Sequence, residues 1–172
     1  MLAFSGISHA GFMLMTLLSL ATSASSLLYY TTAYALSGIA AFSVILYVCN
    51  NQHNEDITNF HGLGKTHPFL AAVLTASLLS MAGIPIFAGF FAKLVLFTQT
   101  IENGYLALVI VAVINSIISV GYYFKLILAM YTKESNEARS GKPFLIYAVA
   151  FTAITLNIII GLFPSLVLDI LG

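Results

Sequence analysis

The chain has 172 residues, 60% of them hydrophobic and 7% charged, with a formal net charge of zero. A soluble domain carries about 25% charged residues, so this composition excludes a soluble fold and describes an all-α integral membrane protein. The balanced charge gives no reason to invoke nucleic acid, and the partner that composition implies is the lipid bilayer. Trp is absent and Tyr numbers nine, so an interfacial aromatic belt rests on tyrosine. The single cysteine, Cys49, allows no intrachain disulfide.

The first apolar segment, 2–22, carries Ser5, Ser8, His9 and Thr16. His9 titrates near neutral pH in its unperturbed state, which suits a proton relay; a lone buried histidine is as often a satisfied structural residue. The second segment, 26–49, places Tyr30, Tyr34 and Ser37 on one helical face, with Ala33, Gly38 and Ala41 allowing close helix packing. Between residues 50 and 67 the chain turns polar, with Glu55 and Asp56 against Lys65. His53, His61 and His67 are spaced 8 and 6 apart there. That spacing matches no metal signature, and no metal site is expected.

The apolar run 68–100 is too long for one ordinary span, which takes about 20 residues. Gly83-Ile84-Pro85 lies at its middle. Proline lacks the amide donor and pushes the preceding residue out of helical geometry. The run is therefore divided into helices 68–83 and 85–100, the alternative being one long tilted helix with a proline kink. Lys93 sits alone in the second half, between Ile86-Phe-Ala-Gly-Phe-Phe-Ala92 and Leu94-Val-Leu-Phe-Thr98. Its stem spans only about 6 Å, too short to carry the ammonium to water from mid-membrane. A lone charge in hydrocarbon costs at least about 2.5–3.5 kcal/mol. An ionisable group in that position marks an ion or proton path, or else a packing contact with a carbonyl or hydroxyl.

Segment 104–131 puts Asn115, Ser119 and Tyr122 at i, i+4 and i+7, widened by Ser116 and Tyr123. Lys125 follows, close enough to the helix end to snorkel. The loop 132–143 holds Lys133, Arg139 and Lys142, and segment 144–171 closes the chain with Asp169 near its end. The positive-inside rule puts loop 132–143 in the cytoplasm. Six spans, 2–22, 26–49, 68–83, 85–100, 104–131 and 144–171, then place loops 50–67 and 132–143 on opposite sides and both termini outside.

No Walker motif, dinucleotide fingerprint, nucleophile elbow or cysteine cluster occurs, so no redox or phosphoryl chemistry can be placed on the chain. Charge movement through a membrane remains. The proton affinity of a buried lysine depends on whether a neighbouring group is charged, so a cation brought near releases its proton and withdrawal reloads it.

Three stretches carry a family resemblance: Leu2-Ala-Phe-Ser-Gly-Ile-Ser-His9-Ala-Gly11-Phe, Leu78-Leu-Ser-Met-Ala-Gly83-Ile-Pro85-Ile-Phe-Ala-Gly89-Phe-Phe-Ala-Lys93 and Gly121-Tyr-Tyr-Phe-Lys125. They resemble the antiporter-like membrane subunits of proton-pumping NADH:quinone oxidoreductase, subunit N above all, nearly end to end. The Gly-Ile-Pro…Gly-Phe-Phe-x-Lys block is shared more loosely with multisubunit cation/proton antiporters. The resemblance implies a fourteen-helix parent of two inverted repeats, of which this chain is similar to the last six helices, one transmembrane bundle over 1–172. It implies a discontinuous helix near Gly89–Lys93, with Gly83, Pro85 and Gly89 forming the break. It also implies that Lys93 is the family's terminal proton-channel lysine, and His9 matches a family position; with Lys125 these are the candidate proton path, and the polar helix faces supply Ser5, Ser8, Tyr34, Ser37, Asn115, Ser119 and Tyr122 as lining candidates. No cofactor is expected on the chain itself; NADH, flavin, iron–sulfur clusters and quinone belong to the whole complex. The implied partners are the other membrane subunits, adjacent antiporter-like subunits among them, in a bacterial inner membrane. The alternatives are a sodium/proton antiporter subunit and a truncated assembly piece that does not pump.

Overall fold

The computed structural model describes residues 1–18, 23–50, 56–132 and 144–169. Helix α1 runs Leu2–Met15 and continues as a 3-10 turn, Thr16–Leu18. Helix α2 is Ser23–Cys49, followed by a 3-10 turn at Ile57–Phe60 and the single turn α3, Leu63–Thr66. Then come α4, Pro68–Ala82; α5, Ala88–Glu102; α6, Leu106–Thr132; α7, Phe144–Leu162; and the short α8, Ser165–Leu168. Three helices, Ala24–Cys49, Leu106–Thr132 and Phe144–Leu162, are each long and apolar enough to cross a membrane. The all-helical bundle expected from composition is present, and each of the six expected segments contains one long helix.

The number of crossings differs from the expectation. Along α2, Tyr47 meets His67, Ser37 meets Ser80 and Ser26 meets Gln99. Along α6, Tyr131 meets Thr75 and Ser116 meets Lys93. Both ladders step through α4 and then α5 without doubling back. The two 15-residue helices, each about 22 Å long, therefore stand end to end and share one crossing. A hairpin turned at Gly83–Pro85 would have set both against the same stretch of α2. The kinked-helix alternative is nearer to what is seen, with a true break in place of a kink.

Two corrections follow. With α4 and α5 in one column, the described helices α1, α2, α4–α5, α6 and α7 form five columns, so the residue-2 and residue-169 ends lie at opposite ends of the bundle. The polar segment after α2 and the end of α6 share one end, because Gly64 packs against Met130 and Tyr131. Charge contrast between two loops misled because it reports sides only once the crossings are counted correctly.

The discontinuity is also displaced. Helix α5 runs unbroken through Gly89 and Lys93, and the break spans Gly83–Phe87. Its chemistry explains the position. Gly83 takes φ +87, which a residue with a Cβ adopts only at a cost. From there Gly83 N–H donates to Ser80 O and Ile84 N–H donates to Leu79 O, each at 3.0 Å, the paired bonds of a Schellman ending. Pro85 then bars any continuation. Ile86, with φ +89, is a β-branched residue held in the left-handed region, so strain is stored in the break.

Two apolar clusters flank this break. One gathers Val44, Leu70, Leu74, Leu78, Leu126 and Met130. The other gathers Phe12, Tyr29, Tyr30, Ala92, Leu96 and Val109 toward the opposite end. The interruption lies between them, at mid-bundle.

Candidate functional site

The last four carbonyls of a helix have no partner within it. In α4 the Schellman bonds occupy those of Leu79 and Ser80. The remaining two, on Met81 and Ala82, accept from Lys93 Nζ at 3.0 Å each. A third bond runs from Nζ to Ser116 Oγ on α6 at 2.8 Å. The three ammonium hydrogens are thus matched by three neutral acceptors. A cation at a helix C-terminus also meets the negative end of the helix dipole. The Phe12 ring adds a face 5.4 Å from Nζ. Lys93 is 6% exposed, so the packing contact and the charged site coincide: the lysine is the cap of a broken helix.

Close approach of the two helix ends makes this possible. A Cβ on Gly89 would stand 1.9 Å from the carbonyl oxygen of Ser80. Only glycine lets the first turn of α5 lie beside the last turn of α4. Gly89 therefore belongs to the junction by steric clearance and not as a helix terminator.

His9 lies on α1 at the same depth and is buried. Its Nδ1 is 2.9 Å from Tyr30 OH and its Nε2 is 3.3 Å from Tyr123 OH. The imidazole stacks on Tyr34 at 4.5 Å. Tyr123 OH also bonds to Ser5 Oγ. Neutral imidazole has one donor and one acceptor nitrogen, so one tyrosine donates to it and the other accepts. When both nitrogens carry protons, Tyr123 can only accept from His9 and must donate onward to Ser5. His9 thus sits in a hydroxyl chain whose polarity its protonation sets.

His9 and Lys93 line one small cavity together with Tyr30, Tyr34, Ser37 and Ser80. Its volume of about 10 Å³ is close to that of one water site, and its walls offer the polar partners a water needs. A second cleft, about 210 Å³, reaches Lys93 and Ser116 between α5 and α6, past Leu94, Phe97, Val113 and Ile117.

Of the residues singled out from sequence, Lys93, His9, Ser5, Tyr34 and Ser37 meet around this cavity and chain. Ser119 donates to the Ser116 carbonyl at 2.6 Å, within its own helix. Tyr122 packs edge-on against Tyr123 at 4.6 Å. Ser8 and Asn115 are half-buried, and Lys125 is exposed on α6. His67 Nε2 is 2.8 Å from Tyr47 OH at the start of α4. His61 is half-buried, and His53 lies outside the described residues. Among the described residues no group of three His, Cys, Asp or Glu is placed to hold a metal.

Sequence reading missed Asn157 and Ser80. Asn157 is 0% exposed; its Nδ2 donates to Ala33 O at 3.1 Å and to Ser37 Oγ at 3.0 Å. Its Oδ1 accepts from Ser80 Oγ at 3.0 Å. The available signal was a lone amide in an otherwise apolar span, the same signal that marked Lys93.

Discontinuous helices whose broken ends meet polar groups near mid-depth recur in transporter folds. Residues 1–119 match the family described as NADH:quinone oxidoreductase/Mrp antiporter, TM, and the chain belongs to that family. It is 80% identical over its full length to NADH-quinone oxidoreductase subunit N of Flavobacterium johnsoniae, and 45% identical over 99% of its length to that of Cytophaga hutchinsonii. It spans 37% and 38% of those relatives. Among solved structures it resembles a chain of respiratory complex I from Thermus thermophilus, with 29% identity, a TM-score of 0.74, and coverage of 98% of this chain and 38% of that one. The fold also matches a chain of the Mrp complex from Dietzia, with a TM-score of 0.84 at 22% identity, covering 98% of this chain and 40% of that one.

Proposed function

We propose that the chain works within a proton-translocating membrane subunit of respiratory NADH:quinone oxidoreductase, with Lys93 as the proton-carrying group. The observation that carries this reading is the capped helix break: a buried lysine held by two helix-terminal carbonyls and a serine. Its charged form is well solvated there, with one hydrogen for each of three acceptors, and its neutral form keeps only two hydrogens, so one of the three contacts must reverse or be given up. Proton loss is thereby tied to the geometry of the break. The cavity shared with His9 offers a one-water route into the chain Tyr123–Ser5. Similarity to relatives named subunit N favours this reading over a sodium/proton antiporter subunit.

The chain supplies the proton path, and electron transfer through flavin, iron–sulfur clusters and quinone takes place on other subunits. Its partners are the other membrane subunits of the complex, adjacent antiporter-like ones included, in a bacterial inner membrane. Lys125, Asn115 and Ser8 lie away from the cavity.

The test is Lys93→Ala in the intact complex. Proton pumping and quinone-reductase turnover are expected to fall together, with the complex still assembled, because the two are coupled. Lys93→Arg is expected to impair as well, since arginine keeps its proton and cannot cycle. Near-normal pumping by an assembled Lys93→Ala complex would overturn the reading.

A further inference from the structure

The break has a second cap. Phe87 at the start of α5 makes no side-chain cap bond, and the first N–H groups of a helix need outside acceptors. Gly89 N–H finds one in Ser80 Oγ, at 3.3 Å, on the other helix. The two helix ends therefore cap each other: Lys93 from α5 covers the carbonyls of α4, and Ser80 from α4 covers an amide of α5.

Ser80 is oriented from outside. Ala33 O can only accept, so the Asn157 amide nitrogen must face it and Oδ1 must face Ser80. Ser80 then spends its one hydrogen on Asn157, which leaves its lone pairs for Gly89 N–H and for the Ser37 hydroxyl, 2.9 Å away, whose single hydrogen is shared with Ala33 O at 2.8 Å. Ser37 in turn accepts from Asn157 Nδ2 at 3.0 Å. One amide on α7 thus sets the direction of the Ser80 hydroxyl, between α4 and the start of α5, and donates to Ser37 on α2 at the depth of the break.

We infer that Asn157 and Ser80 are positioning residues for Lys93, holding the staggered ends of α4 and α5 so that the ammonium reaches the Met81 and Ala82 carbonyls. This rests on the reading of Lys93 as the proton-carrying group. Without the Asn157 amide, nothing holds the Ser80 hydroxyl in this orientation, and its contact with Gly89 N–H, already 3.3 Å long, loses its alignment. The register of the two ends then loosens where Lys93 depends on it. The same bonds make Asn157 the end of the polar network on the α7 side, since an amide does not relay protons. Within the small cavity, transfer from Lys93 is left with the His9 side; the cleft at Ser116 reaches Lys93 separately.

The experiment uses the intact complex in membranes, with Asn157→Leu, Ser80→Ala and the double variant beside Lys93→Ala. Each single variant is expected to assemble and to pump on the order of tenfold more slowly, the scale of one buried hydrogen bond lost with its partner left unpaired. The midpoint of the pH dependence of pumping is expected to move away from that of the parent. The double variant is expected to be no slower than the slower single one, because the two residues act as a unit. Ser80→Ala removes a single oxygen and decides the matter if Asn157→Leu does not assemble. Assembled variants with the parent's rate, or with a lowered rate and an unmoved pH midpoint, would overturn the inference while leaving Lys93 in place. Normal pumping by Lys93→Ala would instead remove the reading on which it rests.

Discussion

At the scale of single residues, the site is an exercise in finding partners for groups that have none in their own helix. Lys93 would be costly in hydrocarbon alone, and the α4 carbonyls of Met81 and Ala82 would be costly without donors. Brought together, each resolves the other's deficit. Gly89 is the residue that permits the meeting. Gly89→Ala would place a methyl 1.9 Å from the Ser80 carbonyl oxygen, a backbone atom that cannot swing away. The helix ends must part, carrying Lys93 from its acceptors. Overpacking of this kind costs about 1–3 kcal/mol. Gly89→Ala is therefore expected to lower the thermal stability of the assembled subunit and to reduce pumping at the same time, whereas Gly11→Ala, where no atom lies within 4 Å of the new methyl, should change neither. Equal melting temperatures and pumping for Gly89→Ala and the parent would show that the contact between helix ends is looser than described.

At the scale of elements, sequence and structure agree where local chemistry decides and part where register decides. The helix end at Gly83 was legible because Gly-Ile-Pro can neither continue a helix nor satisfy its carbonyls. Lys93 was legible because nothing nearby in the sequence matches its charge. Asn157 was not, because an isolated amide in an apolar helix reads equally well as packing glue until its three partners on α2 and α4 are seen. The helical period tells which residues share a face but not at what depth two helices meet. That is why α4 and α5 were separated into two crossings. Cross-linking tests their end-to-end arrangement. A cysteine pair at Ser26 and Gln99, whose side chains meet at 2.6 Å, should join under a short bifunctional thiol reagent. A pair at Pro68 and Glu102 should not, because those residues mark opposite ends of the α4–α5 crossing. Efficient joining of 68 with 102 would restore the hairpin.

At the scale of the whole molecule, five crossings sort the charges in a way that six did not. One end of the bundle gathers the start of α1, the end of α2, α3, the end of α6 and the start of α7, as the contacts Tyr47–His67, Gly64–Tyr131 and Tyr47–Tyr147 and the packing of Leu2 on the Val44–Leu70–Met130 cluster show. The segments that join helices there carry Lys65, Lys133, Arg139 and Lys142, and Lys125 lies on α6 toward the same end. The opposite end offers Glu102 and Asp169 and no basic residue. Among the described residues Lys65 and Lys125 fall toward that end, and the sequence that links α6 to α7 is rich in basic residues. Lys and Arg in short joining segments favour the cytoplasmic face. The residue-2 end is thus predicted to lie in the cytoplasm and the residue-169 end outside, which reverses the sequence-based expectation for the first and keeps it for the second. Reporters active on only one side of the membrane, fused ahead of residue 2 or after residue 169, are expected to give opposite signals. Single cysteines at Lys65 and Asp169 should likewise react with a membrane-impermeant thiol reagent from opposite sides. Labelling of both from the same side would mean an even number of crossings, and the end-to-end placement of α4 and α5 would fall with it.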